Sequence, residues 1–271
     1  MASRLLALSI PLLGFVNSAL LPRGGDVAVG DKWLDHDKVM PLSASPDSGL
    51  VGDLEQQFMP LIHSWAGCVP YAAVDANGYA GAGLKPTGEA DGDCRDSSQR
   101  GQTYARLGQS HGRLAILYSY YVPKSMENHK HRHHWLTAAV WLDFDGCPDK
   151  AIDFSPRGIS YSTTPGKFNT APAPTLYLST DGVGPATHPI IDYLADEFLF
   201  SSDDGTGKTL SPPLVGWGRL PQLAKDQLNG IKYEATKVPF SDENFQAYLD
   251  AAYNEEIYKG VPVGVNCVHS V

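Results

Sequence analysis

The chain has 271 residues, a formal net charge of −9 and 19% charged residues. That balance disfavours nonspecific binding to nucleic acid or anionic lipid, while 42% hydrophobic residues are enough for a sizeable core. Length alone does not choose between one large β-rich domain and two smaller ones.

At the N-terminus, Arg4, the apolar run Leu5 to Val16 and the small residues Val16-Asn17-Ser18 before Ala19 follow the three-part plan of a secretory signal. Residues 1–18 are therefore read as a signal peptide and 19–271 as a secreted, extracellular chain. The apolar run falls short of the roughly 20 residues that spanning a bilayer needs, and no later segment approaches it, so no transmembrane segment is expected. From Leu20 to about Pro60 the pattern is irregular. Its one dense polar cluster, Asp35-His36-Asp37-Lys38-Val39, fits a solvated strand end, or a metal held by carboxylates around an imidazole.

From Asp75 to Gly112 the composition is loop-like, with Asn77-Gly78, Gly81, Gly83 and Lys85-Pro86-Thr87-Gly88 as turn signals in no phosphate-cradling order. Two apolar runs of strand composition follow, Leu114 to Tyr121 and Thr137 to Phe144. The polar connection between them holds four of the nine histidines: His129, His131, His133 and His134. In an extended segment His129, His131, His133 and Trp135 point one way and Lys130, Arg132 and His134 the other. Three chemistries fit such a cluster: a hydrogen-bonded polar seam, a transition-metal site to which Glu127 or Asp143 adds a carboxylate, and acid–base catalysis. No HExxH helix is present.

Further short β-like runs, Ala151 to Phe154, Gly158 to Ser162, Thr175 to Ser179 and Ile190 to Leu194, make the middle of the chain β-rich. The period then becomes helical. Leu220-Pro221 opens one helix to about Leu228, and Ser241 caps another, with Asp242 and Glu243 in its first turn and Phe245, Tyr248, Leu249 and Ala252 on one face. A sheet core with helices on its outside accommodates both. Trp135, Trp141 and Trp217 are read as core. Cys68, Cys94, Cys147 and Cys267 form an even set without CxxC spacing, which favours disulfides in a secreted chain. Cys68–Cys94 is the first expected pair, closing a Gly-rich segment, and Cys147–Cys267 the second, pinning the C-terminal tail.

Ala115 to Lys124, followed by His131-Arg132-His133 and Trp135, resembles the central segment of the necrosis- and ethylene-inducing-peptide-like proteins, whose heptapeptide reads GHRHDWE. His36-Asp37-Lys38-Val39, Gly67-Cys68-Val69-Pro70, Gly83-Leu84-Lys85-Pro86, Thr187-His188-Pro189, Pro213 to Trp217 and Val238-Pro239-Phe240 are similar to further family landmarks, in the family's order, over about residues 30 to 255. The resemblance implies a mainly β, single-domain sandwich similar to actinoporins, with flanking α-helices. It implies a non-enzymatic protein that binds glycosylated sphingolipid headgroups of plant plasma membranes, and in cytotoxic members damages the bilayer. It also implies a divalent cation, magnesium or calcium, and detection of the segment Ala115 to Trp135 by plant surface immune receptors.

The departures from the family pattern fall on the cation ligands. His131 matches the ligand histidine, but His134 and Leu136 stand where the family has two acids, Ser125 where it has an aspartate, and Lys130 where it has a glycine. Magnesium and calcium need such carboxylates for charge neutralisation. The expectation is a non-cytotoxic member with a weak or lost cation site. The alternative is an active cytolysin with substitute ligands: Glu127 in the vacated aspartate position, or His131 with His133 or His134 as a softer site for zinc or copper.

Overall fold

The computed structural model describes residues 24–96, 101–126, 130–169, 175–179, 184–194, 197–200 and 209–263. The expected signal peptide, Glu127, His129 and Cys267 lie outside the described residues. In chain order the elements are strand β1 (Trp33–Leu34), helix α1 (Leu50–Gln57), strands β2 (Leu61–Ala66), β3 (Ala80–Gly81), β4 (Thr103–Ser110), β5 (Arg113–Ser125), β6 (His131–Phe144), β7 (Phe154–Thr164), β8 (Lys167–Phe168), β9 (Tyr177–Leu178), β10 (His188–Leu194), β11 (Glu197–Phe200), β12 (Thr209–Leu210) and β13 (Leu214–Gly216), and helices α2 (Gln222–Gly230) and α3 (Phe245–Ala252).

One sheet has six strands in the order β13-β4-β5-β6-β7-β8, and a second runs β11-β10-β2-β12 with β9 also paired to β10. β1 and β3 form a short parallel pair of their own. Tyr120 of β5 meets Phe198 of β11 edge-on with 5.7 Å between ring centroids, and Tyr193 of β10 packs on the same ring, so the two larger sheets share a core as a sandwich. Helices α1 and α3 pack against β4. The chain is thus mainly β with flanking helices. Strand β5 lies between β4 and β6 and is buried almost throughout, which is why Leu114 to Tyr121 reads as a continuous apolar run rather than an alternating one. Trp135, Trp141 and Trp217 are all buried.

Several elements depart from the sequence reading. The loop-like stretch ending at Gly112 contains β4, whose pairing with β5 and β13 supplies what its propensity lacks. Ala151–Asp153 is a 3-10 turn rather than a strand start, and the run Thr175 to Ser179 shrinks to β9. Helix α3 begins after Asn244, not after Ser241, whose hydroxyl donates to the Val238 carbonyl. Asp242 consequently does not serve a helix dipole. It accepts from the Trp217 indole, the Asn229 amide and the Arg106 guanidinium, which itself lies against the Trp217 and Phe245 rings.

The Cys68–Cys94 disulfide is formed across a separation of 26 residues, and loop closure of that length stabilises the fold by about 3.5 kcal/mol. Cys147 is also disulfide-bonded, and its expected partner Cys267 lies outside the described residues.

Under the sheet, Glu55 of α1 is fully buried. The Asp47 backbone N–H donates to its Oε2 at 2.8 Å, while Oε1 has no partner among the described residues. Burial pushes this carboxyl up to about 8, against the pull of the Asp47 N–H. A carboxyl raised in the folded state stabilises fully below its unfolded value near 4.5, and that contribution is lost as pH rises through about 8. Glu55→Gln is therefore expected to gain on the wild type as pH rises from 5 to 9 in paired thermal melts. Melting curves that shift in parallel at every pH would contradict the assignment.

Candidate functional site

His131, His133 and His134 sit in a strand, not on a connecting loop, because β6 already begins at His131. Register pairs Ser125 with His131, Lys124 with Arg132 and Val122 with His134. Strict alternation predicted His131 and His133 on one face, and the structure corrects this. His133 has a left-handed backbone, φ 57°, which breaks the period of two. The His131 and His134 rings come within 5.3 Å of one another, while His133 turns into a separate aromatic enclosure.

In that enclosure His133 is completely buried between the rings of Trp33 and Tyr233, with centroids at 5.6 and 4.4 Å. Its Nδ1 lies 2.7 Å from the Tyr121 hydroxyl, and its Nε2 lies 3.4 Å from Oδ2 of Asp26. Burial holds the imidazole below its usual range and the Tyr121 phenol well above its own. The neutral ring thus accepts from the phenol at Nδ1 and turns its Nε2 N–H to the carboxylate. Burial pushes Asp26 upward, but His133, the Glu234 N–H and Arg132 outweigh it and hold the carboxyl below the usual range. This is a structural seam, and it removes His133 from any exposed site.

The neighbouring basic side chains are also committed to backbone. Arg132 donates to the carbonyls of Ala82 and Gly83 at 3.0 and 3.3 Å. Lys124, buried, donates to the Glu89 carbonyl at 2.8 Å. Gly83 makes this approach possible, since a Cβ placed there meets Arg132 Cγ at 2.6 Å and His133 Cε1 at 2.8 Å. The segments 82–89 and 131–133 are in this way fastened together.

His131 faces outward. Its Nδ1 lies 2.9 Å from the His133 carbonyl and 3.2 Å from that of Arg132. Carbonyls only accept, so Nδ1 carries the hydrogen and the lone pair of the neutral ring is on Nε2. Beside it opens a cleft of about 550 Å³, lined by Lys130, His131, Thr164, Pro165, Lys167 and Ala235. The β7–β8 hairpin brings Thr164 and Lys167 there through the turn Pro165-Gly166, in which Gly166 has φ 72°. No motif read from the sequence pointed to that turn, or to Ala235, Asp26, Trp33 and Tyr233.

Of the remaining expected positions, Ser125 and His134 are buried and Leu136 is fully buried opposite Tyr120. Among the described residues no three His, Cys, Asp or Glu side chains are grouped as a metal would need. The Asp35-His36-Asp37 cluster separates into local contacts. His36 Nε2 bonds the Asp93 carbonyl at 2.8 Å, and Asp37 pairs with Lys38.

A sandwich of this topology, with an HRH strand start whose arginine and second histidine are structural, defines a class that comparison then names. The sequence profile of the family described as necrosis inducing protein (NPP1) matches residues 52–252. NLP effector protein 1 of Phytophthora capsici is 32% identical over 222 residues, covering 81% of this chain and 91% of the relative. Among solved structures, NLPPya in complex with mannosamine is 30% identical with a TM-score of 0.67, over 82% of this chain and 99% of that one. Non-toxic HaNLP3 is 27% identical with a TM-score of 0.66, over 80% of this chain and 98% of that one. The chain belongs to the necrosis-inducing protein family.

Proposed function

We propose that this protein is a secreted, non-enzymatic effector of the family that engages glycosylated sphingolipid headgroups of plant membranes without breaching the bilayer. The observation that carries the reading is the donor set around His131. A serine hydroxyl, an imidazole and a buried aliphatic chain occupy the positions where the resemblance expects carboxylates, and two lysines line the adjoining cleft. These donors do not fit magnesium or calcium, which take oxygen ligands with anionic charge. Two relatives support the two halves of the proposal: NLPPya is known in complex with an amino sugar, and HaNLP3 is a non-toxic protein. Detection of Ala115 to Trp135 by an immune receptor would require the segment out of the fold, since most of it lies buried in β5 and β6.

The expected result with leaf-derived plasma-membrane vesicles is no dye release above buffer at low micromolar protein, with or without added magnesium or calcium. Cation-dependent release at that concentration would refute the reading and favour a cytolysin with substitute ligands.

A further inference from the structure

The geometry points to the cleft beside His131 as a binding site for an anionic sugar, one that carries a carboxylate or a phosphate and is held directly by Lys130 and Lys167 without a bridging cation. The inference rests on the headgroup half of the proposed function and adds the charge of the ligand to it. Three separate segments converge on the cleft: the start of β6 with Lys130 and His131, the β7–β8 hairpin with Thr164 and Lys167, and the loop at Ala235. Neither ammonium has an ion-pair partner among the described residues, and the described lining contains no carboxylate.

Two acids among the described residues near the loop at Ala235 are already engaged. Asp26 faces His133 behind the strand and accepts from the Glu234 N–H at 2.8 Å, and Glu234 accepts from the Gly25 N–H. Arg132 and Lys124 donate to carbonyls, so the local positive charge aimed into the cleft comes from Lys130 and Lys167. On a chain of net charge −9, two like charges brought to one recess repel one another, and an oxyanion between them relieves that repulsion. The other lining groups suit a polyol. The Thr164 hydroxyl both donates and accepts, and the fixed tautomer of His131 offers an Nε2 lone pair to a sugar hydroxyl. A cationic amino sugar meets the wrong sign in this cleft, and a neutral hexose leaves both ammoniums uncompensated.

Calorimetric titration of the full secreted chain at moderate ionic strength tests this with four probes: glucuronate, glucose 6-phosphate, glucose and glucosamine. Both anionic sugars are expected to bind about tenfold more tightly than glucose and glucosamine, as two exposed charge contacts allow. The tighter of the two assigns the source of the anion to a carboxylate or to a phosphate. The double variant Lys130→Glu with Lys167→Glu is expected to abolish the preference, and Lys130→Arg with Lys167→Arg to keep it. Glucose or glucosamine binding as tightly as the anionic pair overturns the inference but leaves the headgroup reading standing. Absence of binding by all four sinks both, and unchanged anion affinity in the Glu variant sinks the inference alone.

Discussion

Gly83→Ala is expected to destabilise the protein by about 3 kcal/mol, read as a lowered urea midpoint at unchanged slope. Two effects add. The residue has φ 63°, a left-handed conformation that costs an L side chain about 1–2 kcal/mol. The new Cβ also lies 2.6 Å from Arg132 Cγ and 2.8 Å from His133 Cε1. Neither neighbour yields freely, because Arg132 is tied to two carbonyls and His133 is enclosed by aromatic rings. Overpacking of this kind costs about 1–3 kcal/mol. Gly88 provides the control. It has φ 75° and open space within 4 Å of where a Cβ would stand, so Gly88→Ala carries the backbone cost alone and is expected to lose about 1 kcal/mol. Equal losses at the two positions would show that the fastening of 82–89 to the HRH strand is not what Gly83 serves.

The parts of the molecule legible in the sequence were those where a single physical cause dominates. Strands β5 and β6 announced themselves because burial on both faces demands unbroken apolar residues, and helix α3 because one face alone is buried. An even cysteine set in a chain read as secreted pointed to disulfides but left three pairings open, of which Cys68–Cys94, closing a Gly-rich segment, is formed. Strand β4 was hidden because its order comes from its neighbours. The face assignment in the histidine cluster failed for a different reason. Alternation assumes β backbone at every residue, and one left-handed residue, His133, brings the His131 ring beside that of His134 instead of its own. Nothing in the local sequence marks that reversal, since its causes, Asp26, Trp33 and Tyr233, lie far away along the chain. The resemblance to a known family located the site's first histidine, whereas the hairpin that supplies Thr164 and Lys167 to the cleft became visible only once β7 and β8 were folded against it.

The same reversal divides the motif's labour, and it sets the second large effect. His133→Ala is expected to cost about 3–5 kcal/mol, as deletion of a buried ring does, enough to consume much of a typical domain's stability. The substitution empties a fully buried position between Trp33 and Tyr233. It also takes the partner from the Tyr121 hydroxyl and one of two partners from the Asp26 carboxylate, which keeps the Glu234 N–H at 2.8 Å. The emptied volume and the orphaned phenol dominate, because the ring is neutral and Asp26 keeps the Glu234 N–H. Tyr121→Phe separates the contributions. It keeps the ring and its packing, removes one hydroxyl, and is expected to cost about 1 kcal/mol. Combined, the two substitutions should cost less than their sum, since the phenol orphaned by His133→Ala is absent from the double variant. A loss at His133 no greater than that at Tyr121, measured by the same denaturant titration, would mean that the surrounding rings close over the vacated space. The histidine would then be a filler rather than the clasp that turns His131 toward the cleft.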